Sequence, residues 1–258
     1  ITHGQFGSIY ASATLCSSLL LIWVGKKIDD VNIFKFAFFV TILLSIACFF
    51  FSKVSSVFLL FIAIFLMRFS GQGMMSHTAS TTISRYFTKT RGRALSISWF
   101  GLSSAEFIMP ILMVYLLTII KWQNLWLIFS ITVLVVLPIA SFLLIKNLNL
   151  DSRETHDGNI KEVQIKQWKR VEVIKDYRFY IISLNMLAMP WIFTGFAVFQ
   201  SFIQTSKGWG PYVIAQSFMS YSILSVLTLF LSGFLIDKFT SRKLLIYMNI
   251  PLLLSVII

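Results

Sequence analysis

Arg68 and Glu106 are the two strongly charged side chains that fall deep inside long apolar stretches of this chain. An ionised group in such a setting costs several kcal/mol unless it is paired, hydrated or put to use. Arg68 stays protonated at any physiological pH and presents a fork of donors that suits a carboxylate or another anion. Glu106 can release and regain a proton, which coupling to a proton gradient requires. The plainer reading of either residue is an ionic clamp between helices. Counting about 1.5 Å per residue from the turn that the two stretches share leaves their backbones about 9 Å apart in depth. A direct salt bridge between them is therefore not expected.

Their surroundings add polar candidates. Gln72 is four residues from Arg68 and shares its helical face. Trp99 and Ser103 stack towards Glu106 in the same way. The run from Ser70 to Thr82 is small and polar, which suits contact with other helices or with a water-filled space. His77, nine residues beyond Arg68, falls nearly opposite it on an α-helical wheel and reads as a packing or interfacial histidine. Asn185, Trp191, Gln200 and Tyr221 are weaker candidates for substrate contact. The sequence contains no phosphate loop, no H-E-x-x-H and no cluster of Cys and His, and its histidines are only 3, 77 and 156. Cys16 and Cys48 lie within apolar stretches and read as small packing residues. No metal, no cofactor and no enzymatic chemistry are expected.

These residues need elements to hold them, and composition says which kind. The 258 residues are 57% hydrophobic and 12% charged, far from the balance of a soluble domain. Eight stretches reach or approach the ~20 residues that cross a bilayer core: about 6–24, 36–52, 56–86, 94–120, 123–145, 177–204, 212–236 and 243–258. The third is longer than a membrane requires and is expected to tilt or project. Pro110, Pro138, Pro190 and Pro251 fall inside stretches, where neighbours can satisfy the carbonyls that a proline frees. A formal charge of +12 raises the question of nucleic acid. Loops 25–35, 85–93, 146–178 and 237–243 hold 18 of the 22 Lys and Arg, and the opposite loops hold only Lys53, Lys121 and Lys207. That asymmetry is the positive-inside rule, not a nucleic-acid surface, and it assigns the basic loops to the cytoplasm. The expected location is a cell inner (plasma) membrane, with the lipid bilayer as solvent and a monomer as the working unit.

Residues 146–176 carry 13 charged side chains and divide two apolar blocks, 1–145 and 177–258. Within them Ile160, Val163, Val171 and Ile174 recur at roughly helical spacing near Trp168, as in a helix lying on the membrane surface. One piece of punctuation occurs twice, 208 residues apart: Gly25, Ile28, Asp29 and Lys35, then Gly233, Ile236, Asp237 and Lys243. A repeat of that length, with several spans between its copies, points to two similar halves.

The two copies resemble the G-x-x-x-D-[RK]-x-G-[RK]-[RK] signature that follows the second and eighth helices of the major facilitator superfamily of secondary transporters. The second copy, with Asp237, Lys238, Arg242 and Lys243, is the closer. In the first, Asp30 replaces a basic residue; Asn32 in the first copy and Thr240 in the second replace the second glycine, Asn being tolerant of the left-handed turn that Gly favours. Arg68-Phe-Ser-Gly71-Gln-Gly73 is similar to the family's fourth-helix arginine followed by spaced glycines. Arg85 to Ala94 resembles the following turn in the family's organic-anion and monocarboxylate-like branches.

The resemblance implies an all-α polytopic membrane protein with the major facilitator fold, of which the chain would cover about helices 2–9 of twelve. Residues 1–145 would be helices 2–6, 146–176 a cytoplasmic linker and 177–258 helices 7–9. It also implies alternating access, with Asp29 and Asp237 near helix N-termini of the opposite half and Gly25 and Gly233 allowing close approach. The expected activity is proton-coupled transport of a small organic anion, with Arg68 on the anion, Glu106 on the proton, and Gln72, Ser103 and Trp99 along the path. Export of a hydrophobic or cationic compound, and a non-transporting membrane sensor on the same scaffold, are the alternatives.

Overall fold

In the computed structural model the described residues are 1–87, 90–145, 170–239 and 241–257, and every regular element among them is helical. Helix α1 (His3–Val24) starts on a capping box, in which Thr2 Oγ1 accepts from Gln5 N and the Gln5 side chain accepts from Thr2 N. It tightens into a 3-10 turn over Gly25–Asp29. Helix α2 (Ile33–Ser52) begins at Asn32, whose backbone is not left-handed (φ −55°, ψ 129°). Asn32 serves instead as an N-cap, its Oδ1 accepting from Phe34 N at 2.9 Å and from Lys35 N at 3.4 Å. The capping side chain, rather than a tolerance of positive φ, explains asparagine there. Thr240 lies outside the described residues.

The third span is α3 (Val57–Met67), a π-helical stretch (Arg68–Met75) and α4 (Ser76–Tyr86). The widened turns fall where the side chains shrink. A methyl on Gly73 would stand 3.3 Å from Arg68 O, and one on Gly71 3.3 Å from Leu44 of α2. Three hydroxyls of this small polar run are satisfied within the span, Ser70 donating to Leu66 O, Thr78 to Met74 O and Thr82 to Thr78 O. Helices α5 (Arg91–Ile119) and α6 (Trp122–Ile145) complete the first block. The short α7 (Arg170–Lys175) is followed by α8 (Tyr177–Lys207), capped at its start by Asp176, whose Oδ1 accepts from Arg178 N. Gly208, at φ +66°, ends α8 in the left-handed conformation, and Pro211 opens α9 (Pro211–Phe239) three residues later.

Seven of these spans are long and apolar enough to cross a membrane. The eighth, expected over 243–258, is instead α10 (Ser241–Leu245) and α11 (Ile250–Ile257), separated by a turn at 246–249. Side-chain amides supply the reason. Asn185 Nδ2 of α8 donates to Leu245 O at 3.1 Å, and Asn249 Nδ2 donates to Asn185 O at 2.8 Å. The first gives a carbonyl at the interruption a partner and the second ties the turn to α8, neither of which a hydropathy profile registers. The surface helix expected within 146–176 lies largely outside the described residues; in α7, Val171 and Ile174 are exposed.

Two interfaces organise the bundle. Helix α2 packs on α6 through a buried reciprocal pair, Ser45 Oγ donating to Ser130 O and Ser130 Oγ to Ser45 O, each at 2.8 Å. Helix α5 packs along α9 and joins the two blocks. Outward faces carry large apolar side chains, such as Phe58, Ile97, Leu143 and Leu227, as contact with lipid demands.

Candidate functional site

A cavity of about 770 Å³ lies between α1 and α8, with Arg68 of the π-helical stretch on its wall. On the α1 side Gly4, Gly7, Ser8, Ala11, Thr14 and Ser18 line it, one face of a helix at spacings of three and four. On the α8 side Pro190, Trp191 and Phe199 contribute the bulk. The two helices meet near one end of the cavity. A methyl on Gly7 would stand 3.0 Å from Phe199 Cζ, and the His3 and Phe202 rings are edge to face at 5.6 Å.

Arg68 is held from two sides. Its Nε donates to Thr14 Oγ1 at 3.2 Å, and its guanidinium carbon stands 4.9 Å from the Tyr10 ring centroid, a cation–π contact. Arg68 and Glu106 do not meet. Glu106 lies on α5 near Tyr221 of α9, and no described Lys or Arg is within ion-pair distance of it. Gln72 is exposed, Trp99 is exposed, and Ser103 is buried with its Oγ 3.0 Å from Ser225 Oγ of α9. None of Gln72, Trp99, Ser103 and Glu106 is among the described residues lining the cavity. Of the weaker candidates, Trp191 lines it.

His77 departs from its α-helical wheel. Its Nε2 lies 3.0 Å from Gly25 O, at the start of the 3-10 turn that continues α1, so His77 and Arg68 face the same span. A π-helix advances by a smaller angle per residue than an α-helix, and eight such residues bring position 77 round to Arg68's side.

The α5–α9 seam contains the second signature copy. Asp237 Oδ1 accepts from Gly92 N at 3.1 Å, in the first turn of α5, and its Oδ2 is 3.3 Å from Arg93 Nε. The carboxylate thus accepts from a first-turn N–H of α5, at a helix end where negative charge is favoured. The Arg93 guanidinium also lies 4.9 Å from the Phe234 ring centroid. Ser96 Oγ is within hydrogen-bonding distance of Gly92 O and of Leu229 O across the seam. Gly233 and Gly92 are the reason the backbones come this close. A methyl on Gly233 would stand 2.5 Å from Ser96 Oγ, and one on Gly92 2.6 Å from Asp237 Oδ1. In the first copy, Gly25 is buried beneath His77, while Asp29 and Lys35 are exposed at the turn into α2. Lys238 is exposed with its Nζ 5.4 Å from the Phe239 ring centroid, Lys243 is exposed, and Arg242 lies in α10.

Tyr10, Thr14 and the α1 hydroxyls were not among the candidates drawn from charge and motif. Their signal was the small-residue stripe at 4, 7, 8, 11, 14 and 18, which only contact with a neighbour separates from ordinary packing. No group of three or more metal-ligating side chains occurs among the described residues.

No curated protein matches the sequence. A family model described as Major Facilitator Superfamily matches residues 1–258. With seven membrane-length helices and that match over its whole length, the chain belongs to the Major Facilitator Superfamily, a family of secondary transporters.

Proposed function

We propose that this transporter moves a small organic anion by alternating access, with a proton as the coupling ion. The observation that carries the reading is Arg68, a fixed positive charge on the wall of the α1–α8 cavity with Thr14 and Tyr10 holding its guanidinium. A cation so placed lowers the cost of bringing an anion to membrane depth. Glu106 carries the proton from outside that cavity, beside the α5–α9 seam, with Ser103 one turn away on the same helix. Gaining or losing a charge beside a helix seam changes how well that seam closes, which is the form such coupling takes.

The signature copies act as gates in this reading. Gly25, Asp29 and Lys35 serve one interface, and Gly233, Asp237, Lys238, Arg242 and Lys243 the other, with Asp237 on the first turn of α5 as the working contact. The basic loops face the cytoplasm of an inner (plasma) membrane, a monomer suffices, and blocks 1–145 and 177–258 rock about the linker 146–176.

The test is pH-driven uptake of labelled carboxylates into proteoliposomes by the full-length transporter and its Glu106→Gln variant. Gradient-driven accumulation of an acid that the variant reduces to exchange supports the reading. A second reading, proton-coupled export of a hydrophobic or cationic compound, is favoured by Glu106 having no cationic partner among the described residues. Transport of no acid, together with resistance to lipophilic cations on overexpression, would decide for export.

A further inference from the structure

Resting on the anion reading, we infer that the α1–α8 cavity selects a monovalent carboxylate with an apolar, preferably flat, body, bound end-on to Arg68 and packed against Trp191. The inference begins with which parts of the guanidinium are already taken. Its Nε edge is used by Thr14 Oγ1 and one face is covered by Tyr10. Its two Nη groups have no hydrogen-bond partner among the described residues. They form the end of the fork, whose parallel N–H pair matches the two oxygens of a single carboxylate.

The second step is charge. Arg68 is the sole ionised side chain among the described residues lining the cavity. One carboxylate is neutralised there. A second carboxylate on the same molecule would find no counter-charge among the described lining residues, and drawing one from water without a partner is costly. Glu106, itself an acid, is not on the wall and offers a dianion nothing.

The third step is the body of the ligand. The α8 wall consists of Leu187, Pro190, Trp191, Val198 and Phe199 with Thr194 and Gly195 between them. Hydroxyls do occur, but mainly on the α1 side near Arg68. Trp191 is 74% exposed, a large aromatic face turned away from protein contact although it lines the cavity. A flat apolar group laid on that face gains area and stacking that a two-carbon acid cannot. About 770 Å³ is also ample for a benzoate- or hexanoate-sized molecule.

Equilibrium binding of tritiated benzoate to the purified full-length transporter in nanodiscs tests this, with unlabelled hexanoate, acetate, succinate and benzamide as competitors. Benzoate and hexanoate are expected to compete about tenfold or more better than acetate and succinate, and neutral benzamide not to compete. Trp191→Ala should weaken benzoate at least about fivefold while leaving acetate competition unchanged, and Trp191→Phe should restore most of the loss. Arg68→Lys keeps the charge but not the fork and should weaken both acids together. Succinate competing as well as benzoate, or Trp191→Ala affecting acetate and benzoate alike, overturns the selectivity inference and leaves the anion reading standing. Full benzoate affinity in Arg68→Lys overturns end-on recognition. Failure of every carboxylate to bind overturns both.

Discussion

Replacing Gly92 by alanine should open the α5–α9 seam, and the structure says by how much. The new methyl would stand 2.6 Å from Asp237 Oδ1 and 3.0 Å from Gly233 O. The Asp237 carboxylate can swing aside, but that breaks its bond to Gly92 N and its contact with Arg93. The Gly233 carbonyl belongs to the α9 backbone and can yield only if the helices part. Overpacking of this kind costs about 1–3 kcal/mol, equivalent to about a 5- to 150-fold shift away from the closed seam. The Arg93 contact adds little, because its side chain is 52% exposed. Gly233→Ala is the informative contrast. There the nearest atom is Ser96 Oγ at 2.5 Å, the end of a side chain that can rotate, while Ser96 Cβ at 3.3 Å and Gly92 O at 3.4 Å ask the backbones for only a few tenths of an ångström. Its cost is mainly the Ser96 bond to Leu229 O, about 1 kcal/mol, and adding Ser96→Ala should relieve the closest contact but not the one with Ser96 Cβ. Spin labels at the exposed positions Ile97 and Leu231, in full-length protein with Cys16 and Cys48 replaced, would report the α5–α9 separation by pulsed electron resonance. A clear gain in the longer-distance population for Gly92→Ala, and a small one for Gly233→Ala, is expected. Equal distributions for wild type and Gly92→Ala would refute the steric argument.

Asp237→Asn keeps an acceptor for Gly92 N but loses its charge, so it should open the seam less than Asp237→Ala in the same distance measurement. Ser45→Ala and Ser130→Ala each remove one strand of a reciprocal pair; a double-mutant cycle on thermal unfolding in detergent should show coupling of about 0.5–2 kcal/mol. Thr14→Val should weaken anion binding several-fold by freeing the Arg68 side edge, while Thr14→Ser should not, as read by the benzoate competition assay. Glu106→Gln should abolish pH-driven accumulation yet retain exchange, and accumulation that persists in the variant would remove Glu106 from the coupling step.

The helices were legible because a membrane span is a long apolar run, and seven of them appear where hydropathy places them. The signature repeat was legible because its residues recur in register at a spacing no accident favours. Arg68 and Glu106 drew attention by being charged where charge is costly, and of the two only Arg68 is among the described residues lining the cavity. What stayed hidden depends on three-dimensional partners. The break at 246–249 rests on amides from Asn185 and Asn249, 64 residues apart, and an apolar profile runs straight through it. The π-helical stretch is written only as small residues, which equally permit an α-helix, so the face assigned to His77 by an α-helical wheel was wrong. Trp191 could be suspected from its type but not separated from the other aromatics until α8 lay against α1. Ser103 is a polar residue one turn from Glu106 in either view; that its hydroxyl is engaged by Ser225 follows only from the helix that packs there.

The two contacts that Arg68 and His77 make with α1 have a mechanical consequence. Thr14 and Gly25, the latter just past the end of α1, are eleven residues apart along the first span, about 16 Å at helical rise. Two helices tied at one point can pivot like scissors, whereas two tied at points that far apart behave as a ladder with two rungs. In the alternating-access reading proposed above, α1 and the span from Val57 to Tyr86 would shift as one plank, with the positive charge riding on it. On that reading, a motion bringing α1 towards α8 would carry Arg68 with it and present the charge and the hydroxyl wall in the same stroke.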